Sequence, residues 1–249
     1  MSFKDHFSGH AASYAACRPG YPARLFEILA GLPRERRLAW DSGTGSGQAA
    51  VALAAHFEQV LATDPSAEQL AHALPHPRVT YRQGRAEDSG LSAGCIDLAT
   101  AAQAFHWYDF ERYFAEVRRV LAPGGVVAVW TYNLARVDPA VDRWIDRLGR
   151  EIAGPYWPPE RRWVDEEYRT IPFPFAEIES APLHHEERWD LERLTGYLCT
   201  WSAVQRHRKE TGRDPLDEIR DGLAAAWGDP QDKRTITWPI FLRAGRVHD

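Results

Sequence analysis

LAWDSGTGSGQAAVAL (Leu38–Leu53) runs from an apolar stretch into an acid, Asp41. It continues through three alternate glycines, Gly43, Gly45 and Gly47, into an Ala-rich segment. The pattern predicts a strand, a tight turn and a helix N-terminus. That arrangement aims backbone N–H groups at a nucleotide-like ligand. The next apolar run ends in VLATDPS (60–66), with a second acid, Asp64, 23 residues after the first. Outward from this core the texture alternates. Strands are expected at 38–42, 59–63, 78–82, 96–101 and 125–131, and helices at 25–30, 46–55, 66–73 and 110–121. The last helix carries Phe110, Phe114, Val117 and Leu121 on one face and stops at Pro123-Gly124-Gly125. This predicts an α/β fold, a parallel sheet with helices on both faces and ligands at the C-terminal strand ends.

Two ligands fit the glycine stretch. A dinucleotide fingerprint can be placed on Gly45, Gly47 and Ala50, but it sets a pyrophosphate beside Asp41. The alternative, D-x-G-x-G-x-G from Asp41, suits a ligand with positive charge, and Asp64 suits two ribose hydroxyls. S-adenosylmethionine, an adenosine with a sulfonium and an amino acid, has these features. Asp64 also reads as an N-cap for the helix after Pro65, a role compatible with the first.

Six segments occur in order: YAACRPGYP (14–22), DSGTGSG (41–47), ATDPS (62–66), GRAED (84–88), IDLATAAQAFHW (96–107) and RRVLAPGGVVAVWTY (118–132). In these the chain resembles the class I methyltransferases, and more narrowly the type-11 group that includes trans-aconitate methyltransferase. The resemblance implies a three-layer Rossmann-like sheet of seven strands, mostly parallel, with an antiparallel last strand and helical insertions forming a lid. It implies S-adenosylmethionine as cofactor and S-adenosylhomocysteine as product. Tyr14 and Arg18 would close over the cofactor, Arg18 near the methionine carboxylate. Asp41, Gly43, Gly45, Gly47, Asp64 and Pro65 would form its bed. Ala86 and Glu87 would meet adenine, Arg85 standing where the family often has an acid. Gln103 would lie by the methyl group, and His106 would be a base or orienting group.

Past Asn133, helical stretches at 138–153 and 190–209 alternate with candidate strands at 178–189 and 235–244. Eight of the ten tryptophans lie at or after Trp130. Trp107, Tyr132, Arg162, Trp201 and Arg206 are the candidates for an acceptor pocket with aromatic walls and a carboxylate clamp. Residues 1–249 are expected to form one domain. Its core would be 34–135 with late strands at 176–189 and 234–245, and its lid insertions 136–175 and 190–233.

A net charge of −5 gives no basic footprint for nucleic acid. No apolar run approaches the roughly 20 residues of a membrane span, and the N-terminus does not read as a signal peptide. Cys17, Cys95 and Cys199 read as reduced thiols of a cytoplasmic protein. No metal motif occurs: His72/His76 and His184/His185 lack the geometry. The expected partner is a small-molecule acceptor, more an acid than a polymer, and carboxyl methylation is one outcome. Such transfer is an in-line displacement onto an already activated methyl, so the protein supplies alignment, on the order of 7–11 kcal/mol. A base is needed only if the acceptor must lose a proton. Two other classes share the glycine loop. A nicotinamide oxidoreductase would bind NAD, and a non-catalytic adenosyl-binding module would bind cofactor without turnover.

Overall fold

The computed structural model describes residues 18–247; the expectations for Tyr14 and Cys17 lie outside them. The first half alternates as the sequence predicts. Helix α1 (Ala23–Gly31) precedes β1 (Leu38–Ser42), α2 (Gln48–Leu53), β2 (Gln59–Asp64), α3 (Ala67–Ala71) and β3 (Val79–Gln83). Then come β4 (Ile96–Ala102), α4 (Phe110–Val120) and β5 (Leu121–Tyr132). Helix α4 starts at Asp109, whose carboxylate accepts from the Arg112 N–H at 3.3 Å, a cap that contributes about 1 kcal/mol. It buries Tyr113, Phe114, Val117 and Val120.

The second half holds α5 (Pro139–Asp146), α6 (Arg161–Asp165), β6 (Ala176–Ile178) and β7 (Leu183–Trp189). After these come α7 (Leu191–Cys199), α8 (Ser202–Thr211), α9 (Arg220–Trp227) and β8 (Arg234–Arg246). Three expectations are corrected here. The helix expected at 138–153 is α5 followed by a wider π turn, Arg147–Ile152. The one expected at 190–209 breaks at Thr200–Trp201, where the Thr200 hydroxyl turns back to the Tyr197 carbonyl at 2.6 Å. The strand expected at 178–189 is split around Pro182, which has no N–H to give a ladder.

Strand order is β3-β2-β1-β4-β5-β8, with β6 and β7 sharing the outer side of β8. β1 to β5 are parallel, and β8 is antiparallel to its neighbours on both sides. The result is a seven-position Rossmann-like sheet whose last strand is reversed. Both faces are covered. Leu98, Val126, Ala128 and Trp130 pack beneath α1 and α2. Trp40, Ala99, Val127 and Val129 pack beneath α4. A third apolar cluster joins Val141, Leu194, Trp201, Trp227 and Trp238 above the C-terminal ends of β5 and β7. Among the described residues no helix is long and apolar enough to cross a membrane.

Candidate functional site

Gly43, Gly45 and Gly47 all have left-handed φ, +63°, +56° and +83°. A Cβ on Gly43 would sit 2.5 Å from both the Ala104 Cβ and the Tyr108 hydroxyl, and one on Gly47 would sit 2.1 Å from the Tyr81 hydroxyl. Backbone conformation and space therefore both require glycine at these two places. Asp41 at the end of β1 is fully buried. Its oxygens accept from the Thr44 hydroxyl at 2.6 Å and the Thr100 hydroxyl at 2.8 Å. Burial pushes its carboxyl up to about 6 against those two bonds, and Asp64 adds a smaller push the same way. Both oxygens of Asp41 face inward. Through Thr44, Asp41 fastens the start of the loop to β1.

Asp64 at the tip of β2 does face the loop. Oδ2 accepts from the Gly45 N–H at 2.9 Å and Oδ1 from the Ser66 N–H at 2.8 Å. The Pro65 carbonyl accepts from the Gln83 side-chain amide at 2.9 Å. Ala86 is buried, and the Glu87 carboxylate accepts from the Asp109 N–H at 3.1 Å and pairs with Arg85 at 3.4 Å. The Glu87 carboxylate ties the β3 turn to the start of α4.

The segment after β4 faces two ways. Tyr108 lies over Gly43 with its hydroxyl 3.3 Å from the Ser42 hydroxyl. Gln103, His106 and Trp107 face a cleft whose far walls are Tyr132, Trp157, Tyr197 and Trp201, with Arg18 and Arg161 at its side. Gln103 is itself left-handed (φ 53°) and fastened at both ends of its amide. Nε2 donates to the Tyr132 carbonyl at 3.1 Å, and Oε1 accepts from the Thr131 hydroxyl at 2.6 Å. The His106 Nδ1 is 2.8 Å from the Tyr168 hydroxyl. Packing of the ring, and then the charge of Arg161, push its imidazolium down to about 3. His106 is a neutral ring at any ordinary pH.

The Arg161 guanidinium lies 4.4 Å over the Trp157 ring and is paired with Asp165 at 2.9 Å and with the Asn133 side chain. Arg18 donates to the Thr200 carbonyl at 3.3 Å and lies over Tyr197. Nearby, the Gly20 N–H is bonded to Glu187 at 3.2 Å. No group of three or more His, Cys, Asp or Glu among the described residues is placed to hold a metal.

A family described as "Methyltransferase domain" matches residues 40–129, the stretch from β1 through β5 that carries the loop, Asp64 and the β4 segment. A methyltransferase of Dictyostelium discoideum is 33% identical over 247 residues, covering 96% of this chain and 94% of its own. The chain is a class I S-adenosylmethionine-dependent methyltransferase. An uncharacterised methyltransferase of Mycobacterium tuberculosis is 32% identical over 230 residues, covering 88% and 85% of the two chains. A solved type II methyltransferase from Anaeromyxobacter dehalogenans superposes on this methyltransferase with a TM-score of 0.87 at 52% identity, covering 93% of this chain and 99% of that one.

Of the acceptor residues expected from sequence, Trp107, Tyr132 and Trp201 line the cleft of the methyltransferase. Two do not. Arg162 stacks 4.1 Å over Trp163, one helical step away from the cleft, and Arg206 on α8 is not among the lining residues. Arg161 takes the place expected of Arg162. A five-residue helix after Pro158-Pro159 has no periodicity from which its inward side could be read. Trp157 and Tyr197 also line the cleft and were not expected from sequence. The only sequence signal for them was the general aromatic enrichment of the insertions.

Proposed function

We propose that this methyltransferase moves the methyl group of S-adenosylmethionine onto a small organic acid held in the cleft between β4, β5 and the α6–α8 insertions. One observation carries the reading: the single segment 103–109 lies against the glycine loop through Tyr108 and lines the cleft through Gln103, His106 and Trp107. A donor on the loop and an acceptor in the cleft would share this wall, the arrangement an in-line displacement needs. The cradle fits the donor in kind: glycines that a Cβ would fill, a buried negative charge at Asp41, and the Asp64 carboxylate at the tip of β2. Bound there, S-adenosylmethionine supplies an activated methyl.

The chain's own residues bind and align. Asp64 would take the ribose hydroxyls, while Gly43, Gly45 and Gly47 let the backbone come close. Pro65 and the Ala86 amide would border the adenine, with Arg18 and Gln103 toward the amino-acid end. Trp107, Tyr132, Trp157 and Trp201 would exclude water and stack on a flat or unsaturated acceptor. Arg161 would pair its carboxylate. The enclosed part of the cleft is about 70 Å3, room for a small group and not for a polymer. The net charge of −5 agrees, since a polyanion has no general attraction to this surface. A single cytoplasmic domain, with its two insertions as the lid, belongs to the same reading.

Calorimetry with S-adenosylhomocysteine, followed by a labelled-methyl screen over small acids, phenols, amines, RNA and protein, tests the proposal. Asp64→Ala should weaken adenosyl binding at least tenfold, from the loss of charge-assisted bonds of about 1.5–3 kcal/mol each. Label found only in RNA or protein would overturn the acceptor assignment. Unchanged binding by Asp64→Ala would overturn the donor site.

A further inference from the structure

A carboxylate outside the cleft fastens part of its wall. Glu187 on β7 is mostly buried, and its two oxygens gather four donors. Oε1 accepts from the Gly20 N–H at 3.2 Å and from the His185 Nε2 at 2.9 Å. Oε2 accepts from the Trp189 indole at 2.7 Å and from Arg193 at 2.6 Å. Burial works against the charge, but these donors outweigh it and hold the carboxyl down to about 2. Glu187 is therefore a carboxylate at any ordinary pH. Three of its partners are neighbours on β7 and α7. The fourth, Gly20, is 167 residues away in the chain, in the segment that leads into α1.

That segment is stiff. Pro19 and Pro22 fix φ on either side of Gly20 and Tyr21, and each confines the residue before it to extended backbone. Pro22 is the N-cap of α1, at φ −69° and ψ 142°. The Tyr21 ring stands edge-on to Trp130 and leans on Tyr132, with centroids 5.6 and 6.3 Å apart. Arg18 is one proline away from Gly20, so its backbone follows wherever the Gly20 N–H is tied. From there it reaches across to the insertion. Its guanidinium lies over Tyr197 on α7 and donates to the Thr200 carbonyl at 3.3 Å. Arg18 lines the cleft, and Glu187 does not.

We propose that Glu187 is a positioning residue for methyl transfer: by holding the Gly20 N–H it seats residues 18–21 against α7 and sets Arg18 in the cleft. This rests on the function proposed above, in which Arg18 serves the amino-acid end of the donor. It adds a residue on which donor affinity depends from outside the cleft. An amide in place of the carboxylate separates this role from the others. Glutamine has one accepting oxygen and one donating NH2. The Trp189 indole and Arg193 can only donate, so the oxygen must face them. The NH2 then faces His185 and Gly20. His185 can change tautomer and accept, whereas a backbone N–H cannot. Glu187→Gln therefore keeps three partners and loses the strap alone, with the side-chain shape unchanged.

The test measures S-adenosylhomocysteine affinity by calorimetry for the wild type, Glu187→Gln, Arg18→Met and the double variant. Glu187→Gln should bind about tenfold more weakly, and Arg18→Met should lose at least as much. The double variant should bind no worse than Arg18→Met, because Glu187 acts through Arg18. Hydrogen exchange without ligand should be faster at the Gly20 and Tyr21 amides of Glu187→Gln and unchanged across 189–199. Wild-type affinity in Glu187→Gln, or losses that add in the double variant, overturns the inference. Faster exchange throughout β7 and α7 also overturns it, since Glu187 would then hold the framework and not the strap. A wild type that fails to bind S-adenosylhomocysteine overturns the donor site instead. Exchange at Gly20 reads the strap in either case, and an unchanged rate there in Glu187→Gln overturns it.

Discussion

Asp41→Asn should make this methyltransferase more stable above neutral pH while damaging its donor site. Asp41 is fully buried and accepts from Thr44 and Thr100. Asparagine has the same shape: its oxygen can keep Thr100, and its amide can donate to a Thr44 hydroxyl turned to accept. The difference is the charge. Burial raises the carboxyl from 3.8 to about 6 in the folded chain. Between those values the native state holds a proton that the unfolded chain has released, so native stability falls as pH rises through the window. The shift corresponds to about 3 kcal/mol, present in full below the unfolded value and lost above the folded one. The assay is urea unfolding of both proteins at several pH values. Taking the difference between them cancels every other titrating group. Wild-type stability relative to Asp41→Asn should fall by about 3 kcal/mol from about pH 3.5 to about pH 7.5, mostly between 4 and 6. S-adenosylmethionine affinity, measured on the same samples, should drop in the variant. A difference that stays flat with pH would refute the reasoning: Asp41 would then be titrating as if in water, and its burial would carry no cost.

Gly47→Ala must adopt a left-handed backbone at about 1–2 kcal/mol and displace Tyr81, losing the 2.6 Å bond from Tyr81 to the Leu74 carbonyl, about 1 kcal/mol more. In a Tyr81→Ala background only the backbone part should remain, and equal thermal or urea destabilisation in both backgrounds would remove Tyr81 from the argument. Arg161→Met should raise KM for an acid acceptor at least tenfold and leave S-adenosylhomocysteine affinity nearly intact. Arg162→Met should change neither, and a reversed pair of steady-state and calorimetric results would return the carboxylate clamp to Arg162.

The first half of the fold was legible because each element carries its own punctuation. β1 spans the five residues expected, bounded by polar chain on one side and the glycines on the other. Asp109 and the Pro123-Gly124 pair bracket α4. The strand after it reaches back to Leu121 across a register shift against β4, a bulge that apolar periodicity does not reveal. The cradle was legible for the same reason, as glycines at fixed offsets state a backbone requirement directly. The direction a charged group faces is not stated in that way. Asp41 points inward because Thr44 and Thr100 capture it, and Thr100 comes from another strand. The cleft was hardest. Arg161 and Arg162 are chemically alike, and only the tertiary path of a short helix separates them. Tyr168 reaches His106 through two left-handed residues that no local propensity favours.

The reversal of β8 has a consequence for how such an enzyme changes its substrate. β7 ends at Trp189 on the same edge of the sheet where β8 begins at Arg234, because the two strands run in opposite directions. The chain between them, α7 to α9, therefore leaves and re-enters at one rim, directly above the cleft. It crosses no layer, and it supplies Tyr197 and Trp201 to the wall of the cleft. An insert with both ends on one rim behaves as a cassette. It can lengthen, shorten or be exchanged at a loop-closure cost that grows only slowly with its length, while the glycine cradle and the register of the parallel strands stay untouched. Grafting the 190–233 segment of a relative between Trp189 and Arg234 is then a route to a new acceptor on an old donor site.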